Sequence, residues 1–249
     1  MCMMQDENKQ LAKLNQVRNE LTRFMITYKF AMDEMNTKLN ILKQEFQYIH
    51  EYNPIEHITS RLKSPESMLR KLQKNDLPIS TESIRKNVRD VVGIRVVCSF
   101  ISDIYTISEM IQQQKDVKLI ETKDYIENPK ENGYKSLHLI LSIPVFMSDR
   151  EEEVYIELQI RTVAMDFWAS LEHKIYYKYN GNIPAHLTKE ITETARVANE
   201  LDLKMEKLHG EVNQIKQKNQ EEDLNYLQID EEKIPLPINF LKTFIDNLS

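Results

Sequence analysis

The sequence predicts an α+β fold in which a mixed, largely antiparallel sheet of about five strands is flanked by helices. Only four glycines and eight prolines interrupt 249 residues, a composition typical of helix-rich chains with few loops. Apolar residues recur every three or four positions near both ends of the chain, which predicts long N- and C-terminal helices. The middle of the chain holds short alternating segments that indicate strands.

These patterns divide the chain into four segments. They are an N-terminal helical segment at 1–52, a central domain at 53–180, a C-terminal helix at 181–218 and an acidic tail at 219–249. The first segment predicts one or two helices, with a break near residues 28–33. In the tail, the apolar residues from Leu236 to Leu248 suffice for one short docked helix.

The net charge of −6 is unevenly distributed. The tail accounts for most of it, whereas residues 53–95 hold nine Lys or Arg against five Asp or Glu. A basic window in an acidic protein indicates a local anion site rather than a broad nucleic-acid surface. RNA binding is therefore possible but not indicated.

Cysteines and hydropathy indicate the compartment. Cys2 and Cys98 do not make a disulfide framework, which predicts reduced, packed thiols. No apolar run reaches the roughly 18 residues of a membrane span. The first ten residues lack the apolar core of a signal peptide. We therefore expect a cytoplasmic protein without a membrane partner.

The first candidate site is a basic helix. Ser64 followed by Pro65 is typical of an N-cap with proline at the first helical position, which predicts a helix to about Lys74. Five polar side chains precede this helix or share one of its faces: Arg61, Lys63, Ser67, Lys71 and Lys74. Together with the amides of the helix N-terminus they would hold a polyphosphate, and a solvated basic face is the alternative.

A buried strand follows a second short helix at 79–89. The strand segment RDVVGIRVVCSF is rich in β-branched residues and has Gly93 near its start. Asp90 and Arg95 flank that start, as a metal ligand or a salt bridge would, and spacing alone does not separate the two. A helix at 102–115 and a second strand, VKLIETKDYI, come next.

The loop before the third strand is the second candidate site. Residues 129–133 have the composition of a turn. Lys130, Tyr134 and Lys135 could stack a base and neutralise its phosphates. The strand itself carries His138, for which a hydrogen-bonded core histidine is the more frequent role.

The fourth strand, residues 153–162, is antiparallel to the third because a turn at 148–152 joins them. Glu157, Gln159 and Arg161 project from one face of it. A polar face this regular indicates a ligand, with a solvated edge strand as the alternative. The helix that follows should pin the end of the strand against a core. Its apolar residues at helical spacing are Ala164, Phe167, Trp168, Leu171 and Ile175.

The last predicted helix covers residues 185–217, after a turn at NGNIP. One stripe of it is formed by Ile191, Ala195, Ala198, Leu201, Met205 and Leu208. A stripe of this kind at the end of a chain often meets another subunit or the N-terminal helices.

Four segments together establish a family resemblance. They are RLKSPESMLRKL, RDVVGIRVVCSF, KDYIENPKENGYKSLH and EVYIELQIRTVAMDFWASLEHKIYYK. In this order they resemble the synthetase domain of the RelA/SpoT homologues over residues 20–215. Without the hydrolase and regulatory domains of long members, the chain resembles a stand-alone small alarmone synthetase. The segments NPIEH, SFISDIY and AMDFWASLEHKIYYK favour the RelP-like branch over the RelQ-like one.

The resemblance implies a nucleotidyltransferase-like synthetase fold and a pyrophosphate transfer. The β,γ-pyrophosphate of ATP would pass to the ribose 3′-hydroxyl of GDP or GTP, with GMP as a further candidate acceptor. Asp90 and Glu157 would bind Mg²⁺, and Glu157 would also take the proton from the hydroxyl. Arg95 would be catalytic with them.

The resemblance also assigns binding residues. For ATP they are Arg61, Lys63, Ser67, Lys71, Lys74 and Arg95. For the acceptor guanosine nucleotide they are Lys123, Lys130, Tyr134, Lys135, His138, Gln159 and Arg161. Long family members carry Arg-x-Lys-Asp or Glu-x-Asp-Asp before the acceptor loop. Residues 121–124, Glu-Thr-Lys-Asp, combine the two, so this motif does not choose between GTP and GDP.

The terminal helices also bear on how the chain assembles. Relatives form tetramers, and the apolar stripes of the terminal helices predict a homo-oligomer here too.

From the residues alone, a nucleotidyltransferase that moves a nucleotidyl group would also fit. Two further alternatives are a catalytically silent RNA- or alarmone-binding regulator, against which the presence of Asp90 and Glu157 counts, and a structural helical protein, against which the polar strand face counts.

Overall fold

The computed structural model describes residues 2–49, 52–178, 184–219, 226–229 and 232–235. The turn predicted at NGNIP lies mostly outside these residues, and the helix predicted at Leu236–Leu248 lies entirely outside them. The elements are α1 (Cys2–Ile49), β1 (Ile55–Leu62), α2 (Pro65–Lys74), α3 (Thr81–Asn87), β2 (Val92–Cys98), α4 (Ile101–Gln112), β3 (Lys118–Asp124), β4 (Leu137–Phe146), β5 (Glu151–Thr162), α5 (Val163–Lys178), α6 (Ala185–Asn219), β6 (Tyr226–Ile229) and β7 (Glu232–Pro235).

The central sheet has five strands in the order β1-β2-β5-β4-β3. Strands β2 and β5 are parallel, and every other neighbouring pair in this sheet is antiparallel. The predicted mixed, largely antiparallel sheet is therefore confirmed. Strand β1 was not located from the sequence. It is an edge strand whose side chains are mostly exposed, so it lacks the apolar alternation that identifies the others.

One face of the sheet forms the main core. Side chains of β2, β4 and β5 such as Ile94, Leu139 and Leu158 are buried there. They pack against α1 and α4, which contribute Met35 and Ile107 among others. Cys98 is a free, buried thiol in this core, as predicted. The sheet therefore has a single apolar face and leaves its other face for polar side chains.

Helix α1 is continuous through residues 28–33, so the break considered there is absent. Tyr28, Ala31, Met35 and Leu39 are all buried at helical spacing against the sheet, which gives no reason for the helix to end. Toward its N-terminus the same helix exposes large apolar side chains, including Leu14.

Helices α5 and α6 pack against each other beside the sheet. A second small core contains Trp168, Ala169, Ile191 and Ala195. The Trp168 indole Nε1 donates to the Ile191 carbonyl oxygen at 3.3 Å and to Thr194 Oγ1 at 3.1 Å. Helix α5 is therefore fixed from the side opposite to its connection with β5.

The prediction for α5 was wrong in part. On α5, Phe167, Leu171 and Ile175 are 65%, 41% and 54% exposed, so they do not pin the strand to the core. Trp168 is buried as predicted, and Met165 and Ala169 face inward with it, because the helix begins directly after β5 and this sets its rotation. On α6, the first two residues of the predicted stripe, Ile191 and Ala195, are buried. The exposed members of the stripe are Leu201, Met205 and Leu208.

The described part of the acidic tail contains a small sheet. Strands β6 and β7 pair antiparallel there, which the acidic composition did not predict. Among the described residues, no helix is both long enough and apolar enough to cross a membrane.

Candidate active site

The strand register collects the predicted site residues on the polar face of the sheet. In the parallel pair, Gly93 lies opposite Glu157 and Arg95 opposite Gln159. Neighbouring residues in a register project from the same face, so each further strand adds to this surface. The remaining register pairs are Arg61 with Gly93, Thr59 with Arg95, His138 with Gln159, and Lys123 with His138.

A cavity of about 570 Å³ lies over the polar face. Six predicted site residues line it: Arg61, Arg95, Tyr134, Glu157, Gln159 and Arg161. Residues of α5 from Ala169 to Lys174 form its other wall. Gly93 lies beside Glu157, and its missing side chain leaves the cavity open at that point. A second cavity of about 550 Å³ along α1 is lined mainly by apolar side chains, so the polar cavity suits nucleotides better.

A group at the cavity, which we call the lysine half, consists of Arg61, Lys63, Lys71, Asp90 and Arg95, of which Arg61 and Arg95 line the cavity. The Asp90 carboxylate accepts hydrogen bonds from Lys63 Nζ at 2.6 Å and Lys71 Nζ at 2.8 Å. Burial opposes ionisation of Asp90, but the hydrogen bonds from the two lysines hold its pKa below the usual range. Asp90 is therefore an anion at neutral pH, and its partners are these lysines rather than Arg95.

Helix α2 carries Lys71 of this half, and Lys63 lies just before its N-cap, as predicted. Ser64 caps the helix by accepting from the Ser67 backbone amide at 3.2 Å, and Pro65 is its first residue. The Ser67 hydroxyl oxygen accepts from Ser64 Oγ at 2.9 Å. Lys74 is exposed at the end of the helix and forms no ion pair within the described residues. Arg61 likewise has no ion pair there, although it lines the cavity.

A second group, which we call the aromatic half, consists of Tyr125, Lys130, Tyr134, His138, Glu157, Gln159 and Arg161, and the last three and Tyr134 line the cavity. Hydrogen bonds and one longer polar contact connect most of it into a chain. Tyr134 Oη lies 2.8 Å from His138 Nε2, and His138 Nδ1 lies 3.6 Å from Glu157 Oε1. Gln159 Nε2 donates to Glu157 Oε2 at 3.0 Å, and Arg161 Nη2 donates to Gln159 Oε1 at 2.6 Å.

This chain keeps Glu157 ionised. Burial opposes ionisation of the carboxyl group, but the neighbouring His138 and the hydrogen bond from Gln159 bring its pKa below the usual range. Arg161 is buried, and burial lowers the pKa of its guanidinium group. His138 is thus a hydrogen-bonded histidine within the site and not one in the apolar core.

Cations surround the Tyr134 ring. Lys130 Nζ lies 4.8 Å from its centroid and 4.7 Å from that of Tyr125, and Arg161 Cζ lies 5.6 Å from the Tyr134 centroid. The Tyr125 ring meets His138 edge-on at 5.1 Å. Tyr125 was not identified from the sequence, although it lies between two predicted site residues, Lys123 and Lys130.

Helices α5 and α6 hold the loop that precedes β4. Gly133 has a φ of +88°, and a Cβ atom there would lie 2.5 Å from Ala195 Cβ of α6. Asn132 Nδ2 donates to Glu172 Oε1 at 3.0 Å, which ties the loop to α5. Lys135 Nζ donates to Asn199 Oδ1 of α6 at 2.6 Å, so this predicted site residue is directed to α6 in the structure.

Lys123 lies at the edge of the polar face. Its Nζ is 3.1 Å from a carboxylate oxygen of Glu121, and Arg89 reaches the other oxygen of Glu121 at 3.3 Å. Lys123 and Glu121 both belong to the Glu-Thr-Lys-Asp segment singled out from the sequence. The lysine is therefore neutralised by its own motif.

Asp166 is a further residue of the site that the sequence did not identify. Its Oδ1 lies 3.1 Å from Arg95 Nη1 and 3.6 Å from Arg161 Nη1, and its Oδ2 lies 3.9 Å from His57 Nε2. It stands in the first turn of α5. The available signal was its position directly after a polar strand, where the helix turns back over the end of that strand.

A metal would have to use ligands from the substrates. Among the residues that the structure describes, no three His, Cys, Asp or Glu side chains group as a metal site. Asp90 lies three residues before Gly93, which pairs with Glu157, and the negative charge of Asp90 partly offsets the lowering of the Glu157 pKa. Two carboxylates completed by phosphate oxygens and water suit Mg²⁺, so the residues present fit this ion.

Known proteins resemble this chain in sequence and structure. Residues 60–182 match the family described as the region found in RelA/SpoT proteins. GTP pyrophosphokinase YwaC of Bacillus subtilis is 48% identical over 199 residues, which cover 80% of this chain and 95% of that protein. GTP pyrophosphokinase YjbM of the same organism is 36% identical over 190 residues, which cover 76% of this chain and 89% of that protein.

Two solved structures extend the comparison. The crystal structure of small alarmone synthetase 2 from B. subtilis has a TM-score of 0.68 at 47% identity, covering 75% of this chain and 96% of that one. Small alarmone synthetase 1 from B. subtilis, bound to its product pppGpp, has a TM-score of 0.72 at 36% identity. That alignment covers 78% of this chain and 98% of the other.

Proposed function

This chain belongs to the RelA/SpoT family, and we propose that it is a small alarmone synthetase with GTP pyrophosphokinase activity. It transfers the β,γ-pyrophosphate of ATP to the ribose 3′-hydroxyl of GDP or GTP, and the products are AMP and ppGpp or pppGpp. The observation that carries the proposal is the polar sheet face, where an ionised Glu157 of the aromatic half lies near Asp90 of the cationic lysine half.

The two halves suit the two substrates. In the lysine half, Arg61, Lys63, Lys71 and Arg95 provide positive charge for the ATP phosphates, assisted by Ser67 and Lys74 on α2. In the aromatic half, the Tyr134 ring offers a stacking surface for guanine. The remaining proposed acceptor residues are Lys123, Lys130, Lys135, His138, Gln159 and Arg161.

The chemistry requires a base and positive charge. The 3′-oxygen attacks the β-phosphorus of ATP, the bond from that phosphorus to the α,β-bridging oxygen breaks, and AMP leaves. Glu157 accepts the hydroxyl proton, a contribution typically worth about 10²–10⁴-fold. Arg95 and the lysines stabilise the charge on the transferred group. When bound by Asp90 and Glu157, Mg²⁺ would neutralise phosphate charge.

The test is a product assay. The protein is incubated with ATP, Mg²⁺ and each of GMP, GDP and GTP, and the nucleotides are separated by anion exchange. We expect AMP and a more highly phosphorylated guanosine nucleotide in equal amounts, and the rates identify the preferred acceptor. Glu157→Gln should lose about 10²–10⁴-fold in rate, whereas Glu151→Gln, on the exposed end of the same strand, should not.

Two other outcomes would contradict the proposal. Release of free pyrophosphate would indicate nucleotidyl transfer instead. Absence of any guanosine product with all three acceptors would indicate a silent nucleotide- or RNA-binding regulator. Because ATP and guanosine nucleotides are cytoplasmic metabolites, we propose the cytoplasm as its compartment.

We also propose a homo-oligomer, with a tetramer as the expected form. Its basis is the set of large apolar side chains exposed on α1 and α6, which a monomer would leave in water. They include Leu11, Leu14, Val17, Leu201, Met205 and Leu208. Analytical ultracentrifugation tests this, and a monomer at micromolar concentration would contradict it.

A further inference from the structure

Asp166 lies between two arginines of different halves of the cavity. Its Oδ1 is 3.1 Å from Arg95 Nη1 and 3.6 Å from Arg161 Nη1. Arg95 also donates from Nε to Thr59 Oγ1 at 3.2 Å, and Arg161 donates from Nη2 to Gln159 Oε1. A single carboxylate in the first turn of α5 therefore faces two guanidinium groups that are fixed on neighbouring strands.

The hydrogen bonding of this group is incomplete. Within the described residues, Asp166 Oδ1 and Arg161 Nε are the two buried side-chain polar atoms that lack a hydrogen bond. An unmade hydrogen bond on a buried polar atom is costly, so such an arrangement needs a reason. Arg95 and Arg161 repel each other on the same sheet face, and the side chain of Asp166 is only 16% exposed. Its charge is what keeps two arginines together over the cavity.

We propose that Asp166 is a positioning residue, which sets the Arg95 guanidinium toward the pyrophosphate donor and the Arg161 guanidinium toward the acceptor. This rests on the proposed function, because the two arginines are assigned to different substrates there. Asp166 itself does not touch the reacting atoms. It acts through the arginines, so its loss should misplace both substrates at once.

A purely structural role of Asp166 predicts a different outcome for its substitution. A carboxylate in the first turn of a helix interacts favourably with the helix N-terminus, and its loss would lower stability alone. Glu152 provides a matched control, because it also pairs with two arginines, Arg85 and Arg150, and lies at the opposite end of β5 from Arg161. Glu152→Gln should lower the melting temperature and leave kcat and both KM values within about twofold.

The first experiment compares Asp166→Asn with Glu152→Gln. We expect Asp166→Asn to lose at least about tenfold in kcat and to raise KM for both ATP and the acceptor, with a melting temperature no lower than that of Glu152→Gln. Asp166→Glu should recover part of the loss, since it restores the charge. Unchanged kcat and KM in Asp166→Asn would overturn the proposal.

A double variant tests whether Asp166 acts through Arg95. If it does, Asp166→Asn should cost much less in the Arg95→Lys background than in the wild type. If Asp166→Asn reduces activity by the same factor in the Arg95→Lys background and in the wild type, the proposal that Asp166 acts through Arg95 is overturned. The wild-type product assay is run alongside, and a wild type without product would count against the proposed function instead.

A measurement of nucleotide affinity tests the proposal without turnover. The dissociation constant of an α,β-methylene analogue of ATP is measured by calorimetry for the wild type, Asp166→Asn and Glu152→Gln. Weaker binding in Asp166→Asn alone supports the positioning of Arg95. Equal binding by all three overturns it.

Discussion

The two halves of the cavity are organised differently. In the lysine half, Lys63 and Lys71 share one carboxylate, Asp90, and Arg61 has no ion pair within the described part of the chain. In the aromatic half, hydrogen bonds run without interruption from Gln159 to the buried Arg161 and to Glu157. One half thus consists of long side chains around one anion, and the other of a fixed polar network.

If the two halves bind the substrates proposed above, the difference indicates how each half would meet its substrate. Phosphates that enter the lysine half compete with Asp90 for the lysines, so these side chains must exchange partners on binding. The aromatic half already holds its donors and acceptors in place and needs little reorganisation, which favours catalysis. Substitutions in the two halves should therefore affect different kinetic constants.

The largest effect is expected for Asp90→Asn. It removes the shared anion, two charge-assisted hydrogen bonds worth roughly 1.5–3 kcal/mol each, and a proposed metal ligand. We expect a loss of about 10²-fold or more in kcat/KM for ATP, with KM for the acceptor within about twofold. Steady-state kinetics with each nucleotide varied in turn measures this. An equal rise in KM for the acceptor would erase the distinction between the halves.

Tyr134 separates stacking from hydrogen bonding in the aromatic half. Tyr134→Leu removes the ring, and base stacking is worth roughly 1–3 kcal/mol, so KM for the acceptor should rise about tenfold or more. Tyr134→Phe keeps the ring and loses only the bond to His138, so its effect should be smaller. Neither variant should change KM for ATP. Equal effects of Leu and Phe would show that the hydroxyl group matters more than the ring.

Lys71 provides the corresponding test in the lysine half. Lys71→Met should raise KM for ATP about tenfold, because one point charge near the phosphates is lost. Lys86→Met is the matched control, since Lys86 pairs with Glu82 on the exposed face of α3. The effect of Lys71→Met should shrink at high ionic strength. A similar loss in Lys86→Met would point to overall charge rather than to this site.

The smallest effect concerns stability in acid. The folded pKa values of Asp90 and Glu157 are both lowered from 3.8 and 4.5. Each therefore contributes stability that is present above those values and is lost as the pH falls through the lower folded pKa. Without nucleotides, the melting temperature should decline below about pH 4.5, and less steeply in Asp90→Asn. A parallel decline in wild type and variant would contradict the assignment to Asp90.

Much of the site was predictable because strands and helix caps follow local rules. Alternation along β5 placed Glu157, Gln159 and Arg161 on one face, and the Ser64-Pro65 pair fixed the start of α2. These predictions need only the residues of one element. For the same reason the polar strand face was recognised before any partner strand was known.

The remainder depended on how elements meet. The ion pairs of Asp166 require the angle at which α5 leaves β5, and Lys135 turns to α6 because Asn199 lies there. The exposure of Phe167 depends on which face of α5 packs against the sheet and α6. No local pattern contains this information.

The single parallel pair in the five-stranded sheet has a consequence for folding. Strands β4 and β5 are joined by a short turn, so this hairpin can form from local contacts, whereas helices α2 and α3 separate β1 from β2. The β2–β5 pair closes a much longer loop, whose entropy makes it slow to form. Enzymatic activity should therefore appear last in refolding, and a nascent chain gains it only after β5 has left the ribosome.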